Sequence, residues 1–198
     1  MLHMKFFSDD NGSMLASFAR VVARSAAPMI AALWFALLGP TGSAVAGVLD
    51  DGQILGIYIQ VNGFDAETAL LGRALSHSSA VRNLATHVST DHLGVRQAAY
   101  ALAAKCKVSP VTPSERDAAA IEHGQVMTKL SSLKGAEFDK AYLRHEVAFH
   151  TAALEAVRQA LEPSATCPDL RAHFKDVLPA FEHHLLETQA LARELNVR

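Results

Sequence analysis

The sequence predicts an all-α fold, a bundle of four long helices with one long crossover between the second and the third. Three observations predict it. From Gly47 onward the apolar residues recur at three-and-four spacing, and no run alternates as a half-buried strand would. Four segments hold that spacing over similar lengths, punctuated by Gly, Pro and Ser clusters. The connection in the middle is far longer than a helical hairpin needs. Of the 198 residues 50% are apolar, which suffices for one domain with a sizeable core.

Residues 1–46 read as a leader rather than as part of the fold. Arg20 and Arg24 precede an apolar run, "AAPMIAALWFALLG", and "PTGSAVA" then closes on the small-x-small pattern Ala44-Val45-Ala46, so cleavage is expected before Gly47. The run is about 13 residues where a spanning helix needs roughly 20, which predicts a signal peptide and no permanent membrane span. Asp9 and Asp10 are out of place in a positively charged leader and point to Met14 as the true start. Residues 47–198 would then be the exported, periplasmic or envelope-associated domain.

The first helix is expected from about Asp51 to Leu75, with Ile54, Ile57, Val61, Phe64, Thr68 and Leu71 on one stripe. "SHSSA" breaks it, and Ser78 or Ser79 caps a second helix that reaches Cys106 on Val81, Leu84, Val88, Val95, Ala99 and Leu102. "KVSPVTPSERD" is a connector with Pro110 and Pro113, followed by a capping box from Ser114 to Asp117. A shorter helix runs from Glu115 to about Leu133, stopped by Gly135. The third main helix covers Ala136 to Leu161, "EPSATCPD" breaks the chain, and the last helix spans Asp169 to Leu195 with Pro179 inside it.

The two cysteines test the topology. If residues 107–134 carry the chain back along the bundle, Cys106 and Cys167 lie at the same end, where an oxidising compartment permits a bridge. In a plain up-down-up-down bundle they would stand about 35–40 Å apart, out of reach of one another.

Rotating about 100° per residue places several polar side chains among the apolar ones. His92 falls within the stripe of Val88, Val95 and Ala99, with His87 and Asp91 at its margin. Asp139, Tyr142, Glu146 and His150 form one line on the third main helix. His184 shares the face of Val177, Phe181 and Thr188, while His183 points away, and Asp65 lies at the edge of the first stripe. His92, His150, His184 and Asp65 each sit near the middle of their helices, so they can share one layer. Three imidazoles with Glu146 or Asp65 make a donor set for zinc, iron, manganese or copper. Asp91, Asp139 and Tyr142 are expected to extend it as a buried polar network. The same layer also reads as a hydrogen-bonded network that fixes helix register without a metal. His77, His123, His145 and His173 lack such company and read as surface or boundary residues.

Three stretches carry a resemblance. "STDHLGV" (89–95), "GAEFDKAYLRHEVAFHTAAL" (135–154) and "LPAFEHHL" (178–185) resemble the Asp-His, Phe-Asp-x-x-Tyr and Leu-Pro-…-His-Leu signatures of a bacterial family of exported ferritin-like proteins of unknown function, often labelled predicted outer membrane protein. The resemblance spans about residues 50–192 and implies a ferritin-like four-helix bundle with the long crossover. It carries over onto Asp91, His92, Phe138, Asp139, Tyr142, His150, Pro179 and His184. The chain departs from the family where members commonly carry a glutamate four residues before the glycine that is here Gly72: it has Thr68, and Asp65 is the nearer substitute. The Glu-x-x-His pairs of a full di-iron set are missing too, which argues against a ferritin-type oxidase.

Other chemistry finds less support. Lys and Arg number 18 against 20 Asp and Glu, with no basic block, which speaks against a nucleic-acid partner. No Gly-rich phosphate loop, Gly-x-Ser-x-Gly elbow or Cys-x-x-Cys pair is present. A homo-oligomer is compatible with the sequence. Three readings therefore stand: a periplasmic metal-binding protein, a non-catalytic structural or stress-related envelope protein with a polar core, and, more weakly supported, an enzyme that reduces a small oxidant beside Tyr142.

Overall fold

The computed structural model describes residues 49–197; the expected leader and the Met14 start lie outside them. Among the described residues every regular element is helical: α1 Asp51–Leu75, α2 Ser79–Cys106, a 3-10 turn Ser114–Arg116, α3 Asp117–Ser131, α4 Gly135–Ala156 and α5 Pro168–Glu194. No helix among them is long and apolar enough to cross a membrane.

α1 starts in a capping box. The Asp50 carboxylate accepts from Gln53 N at 2.8 Å, and the Gln53 side chain accepts from Asp50 N at 3.1 Å. Its residues are buried on every side, Ile54, Leu55, Ile57, Tyr58, Ile59 and Val61 among them, which marks it as the central helix. Gly72 lies against Ala85 and Gly63 against Arg96, so α2, capped by Ser78, runs antiparallel to it.

The chain then crosses α1. Val111 N donates to Gly52 O at 3.0 Å, and a Cβ on Gly56 would stand 2.3 Å from the Val111 carbonyl carbon, a close approach that only glycine permits. Arg116 Nε donates to Gln60 Oε1 at 3.0 Å, and further along His123 pairs with Glu67 at 2.8 Å. α3 therefore runs beside α1 in the same direction and returns the chain to the far end.

There α4 begins, with Ser76 Oγ donating to Asp139, and it descends antiparallel to α1. Its axis continues through a π-helical turn, Val157–Leu161, and a last α-turn, Glu162–Ser164. At the bottom the Asp51 carboxylate accepts from Thr166 N at 2.8 Å and Cys167 N at 2.9 Å. A disulfide joins Cys106 to Cys167 across a Cα separation of 5.8 Å, and α5 rises parallel to α1 through Pro179.

Three local expectations differ. No capping box forms at Ser114: Pro113 leads into the 3-10 turn and no side chain caps it. α3 ends at Ser131 without Gly135, which instead opens α4 at φ 58°, a left-handed conformation suited to glycine. The third main helix is α-helical only to Ala156, because the π turn takes over.

The core has two apolar halves. One gathers Ile54, Leu55, Tyr58, Phe149, Phe174 and Phe181 toward the disulfide, and the other gathers Val81, Leu84, Phe138, Tyr142 and Leu143 toward the opposite end. Between them every long helix contributes a polar side chain.

Candidate metal centre

That layer consists of Asn62 and Asp65 from α1, His92 from α2, Glu146 and His150 from α4, and His184 from α5, all buried. Each histidine is held by one ring nitrogen. Asn62 Nδ2 donates to Tyr58 O at 2.8 Å, which turns its Oδ1 toward His92 Nδ1, also at 2.8 Å, so His92 donates from Nδ1. His150 donates from Nδ1 to the Glu146 carbonyl at 3.0 Å. His184 donates from Nε2 to Asp91 Oδ2 at 3.0 Å.

The second nitrogen of each ring is left without such a partner. Those atoms, His92 Nε2, His150 Nε2 and His184 Nδ1, have no hydrogen-bond partner. One ring nitrogen of each histidine lies within 4.8 Å of those of the other two. Asp65 Oδ2 is 3.0 Å from His92 Nε2 and 3.4 Å from His150 Nε2, yet neither approach is aligned as a hydrogen bond. A tetrahedral ion with bonds of about 2.0–2.1 Å separates its ligand atoms by about 3.3 Å. Three imidazoles whose nitrogens lie within 4.8 Å of one another, with a carboxylate beside two of them, form a donor set that suits a transition metal over magnesium or calcium.

Burial sets the charge states. It pushes His92 and His150 down to about 4, against the attraction of Asp65 in the first case and the carbonyl of Glu146 in the second, so both rings are neutral at pH 7. Burial also raises Asp65, an effect countered by His92 and His184. Glu146 is raised well above the usual carboxylate range by burial and then by Asp65. The Tyr142 hydroxyl is raised by burial and by both carboxyls, and it has no hydrogen-bond partner.

The sequence-predicted residues do not all converge. Asp65, expected at the edge of its stripe, is at the centre. Asp91, expected in the buried network, has a side chain 54% exposed and reaches the layer only through His184. Asp139 is buried but binds Ser76 at the end of α1, away from the layer. Thr68 is buried and donates to the Phe64 carbonyl, while Glu67 faces outward to His123. His145, expected at the boundary, is buried with both ring nitrogens unpartnered, because α3 covers the outer face of α4 there. Asn62 was not foreseen at all. Its signal is an amide inside the apolar run of α1, one turn before Asp65 and one turn after Tyr58.

A family model described as a domain of unknown function, DUF4142, matches residues 38–191. No curated protein and no solved structure matches the chain.

Proposed function

The chain belongs to the DUF4142 family, and we propose that it is an exported ferritin-like four-helix bundle that binds one transition-metal ion in its central polar layer. His92, His150 and His184 supply three nitrogens and Asp65 an oxygen, with Glu146 alongside. One observation carries this reading: each of the three rings is locked by a hydrogen bond on one nitrogen while the other nitrogen is buried without a partner. Each buried polar group left unpaired costs about 1–3 kcal/mol, and what sets these rings apart from His145 is that they offer nitrogens within 4.8 Å of one another. A cation satisfies all of them together. Outer hydrogen bonds that fix the tautomer are also how metal-ligating histidines are commonly held. Imidazoles with a carboxylate suit zinc, iron or copper better than the hard, oxygen-seeking ions. The disulfide supports the exported setting, because such bridges persist in oxidising compartments.

The test is elemental analysis of the protein isolated untagged from the periplasm, beside the His92→Ala, His150→Ala, His184→Ala triple variant. Near-stoichiometric metal that disappears in the variant is the expected result. A folded protein that is empty and refuses added metal would leave the polar layer as a register-fixing network.

A further inference from the structure

The layer is closed off by two apolar halves, which raises the question of how an ion reaches it. The three outer hydrogen bonds differ in this respect. His92 is held by Asn62, itself buried, and His150 by the backbone of Glu146. His184 is held by Asp91, whose carboxylate is 54% exposed although the His184 ring is only 4% exposed. Solvent and a bare ligand nitrogen are thus separated by a single imidazole at the seam between α2 and α5. His87, one turn before Asp91 on α2, is exposed as well.

Given the metal reading above, we propose that the Asp91–His184 contact is the port through which a divalent cation enters the layer. The Asp91 carboxylate meets the cation first and draws it to the seam. The His184 N–H then releases its oxygen, and the ring leads the ion to the nitrogens of His92 and His150. An exposed charge at the mouth of a site raises the rate of encounter more than the final affinity. Another path inward exists in outline: Glu67, 59% exposed, pairs with His123, and His145 lies beneath. Among the described residues His145 is not one of the donors gathered within 4.8 Å of one another, and His123 stacks on Phe64 with centroids 4.3 Å apart, which plugs that path.

Stopped-flow uptake of Co2+ by the metal-free full chain, read in its visible absorption, separates the possibilities. Asp91→Asn keeps an acceptor for His184 and removes the charge. It should slow association about tenfold at low salt while the dissociation constant stays within about threefold, and the difference should shrink as salt screens the port. Glu67→Gln should leave association unchanged. An unaltered association rate in Asp91→Asn, a faster release with unaltered association, or slowing confined to Glu67→Gln would each overturn the port. Failure of the wild-type chain to bind Co2+ at all would remove the metal reading, and the port with it.

Discussion

Asn62 and His92 form a hydrogen bond of 2.8 Å between buried side chains on adjacent helices, and Asn62 is itself pinned by the Tyr58 carbonyl. The pair commits the His92 proton to Nδ1 and leaves Nε2 facing Asp65. Asn62→Leu should therefore keep the fold and weaken metal affinity about 10–100-fold, the usual effect of losing an outer partner of a ligating histidine. Competition against a chromophoric chelator measures it, and wild-type affinity in the variant would deny Asn62 this role.

His145 gives a second prediction. Its ring is buried without a hydrogen-bond partner, and burial pushes it down to about 4. The folded state thus binds fewer protons than the unfolded one, whose His titrates near 6.5. Stability linked to His145 is present above that value and is lost as pH falls from about 6.5 toward 4. His145→Leu removes the loss, so the gain over wild type should grow by about 2 kcal/mol between pH 7 and pH 5. Urea unfolding of both metal-free proteins at the two pH values reads this difference, in which the titration of Asp65 and Glu146 is common to both.

The disulfide closes a loop across a sequence separation of 61. Chain entropy assigns it about 4 kcal/mol. Replacing Cys106 and Cys167 together with Ala should lower the melting temperature by about 10 °C, and reduction of the wild type should match it. A melting temperature unchanged by both would show that the Asp51 contacts to Thr166 and Cys167 hold this end unaided.

Gly72 is in contact with Tyr142. A Cβ there would sit 2.6 Å from Tyr142 Cε2, and the ring is fully buried. Gly72→Ala should cost about 1–3 kcal/mol by overpacking, and Tyr142→Leu in the same chain should recover part of it. Additive losses in a double-mutant cycle would show that the two positions do not press on one another.

The long helices were legible in the sequence because their signals are local. Ser78 and the Pro-rich connector mark ends that need no tertiary knowledge. The inward angle of His92, His150 and His184 was legible for the same reason, since α-helical rotation is rigid over a few turns. What rotation could not supply is the neighbour on the other side. His145 turns outward from the four long helices, but α3 lies over it, so burial there depends on the crossover. Asp91 and His92 are adjacent on α2, and only the packing of α5 decides that one is a ligand candidate and the other stands in solvent. Asn62 was hidden because an amide has no distinctive spacing until its partner is placed.

The π turn at Val157–Leu161 has a bearing on the covalent architecture. A π turn spaces its hydrogen bonds one residue wider than an α turn, so everything after it is rotated by about 100° relative to an unbroken α-helix. The segment that follows delivers Thr166 to Asp51 and Cys167 to Cys106. The widened turn acts as a spacer of one residue and sets the register in which the chain enters the extended Ala165–Cys167 stretch that carries the second sulfur.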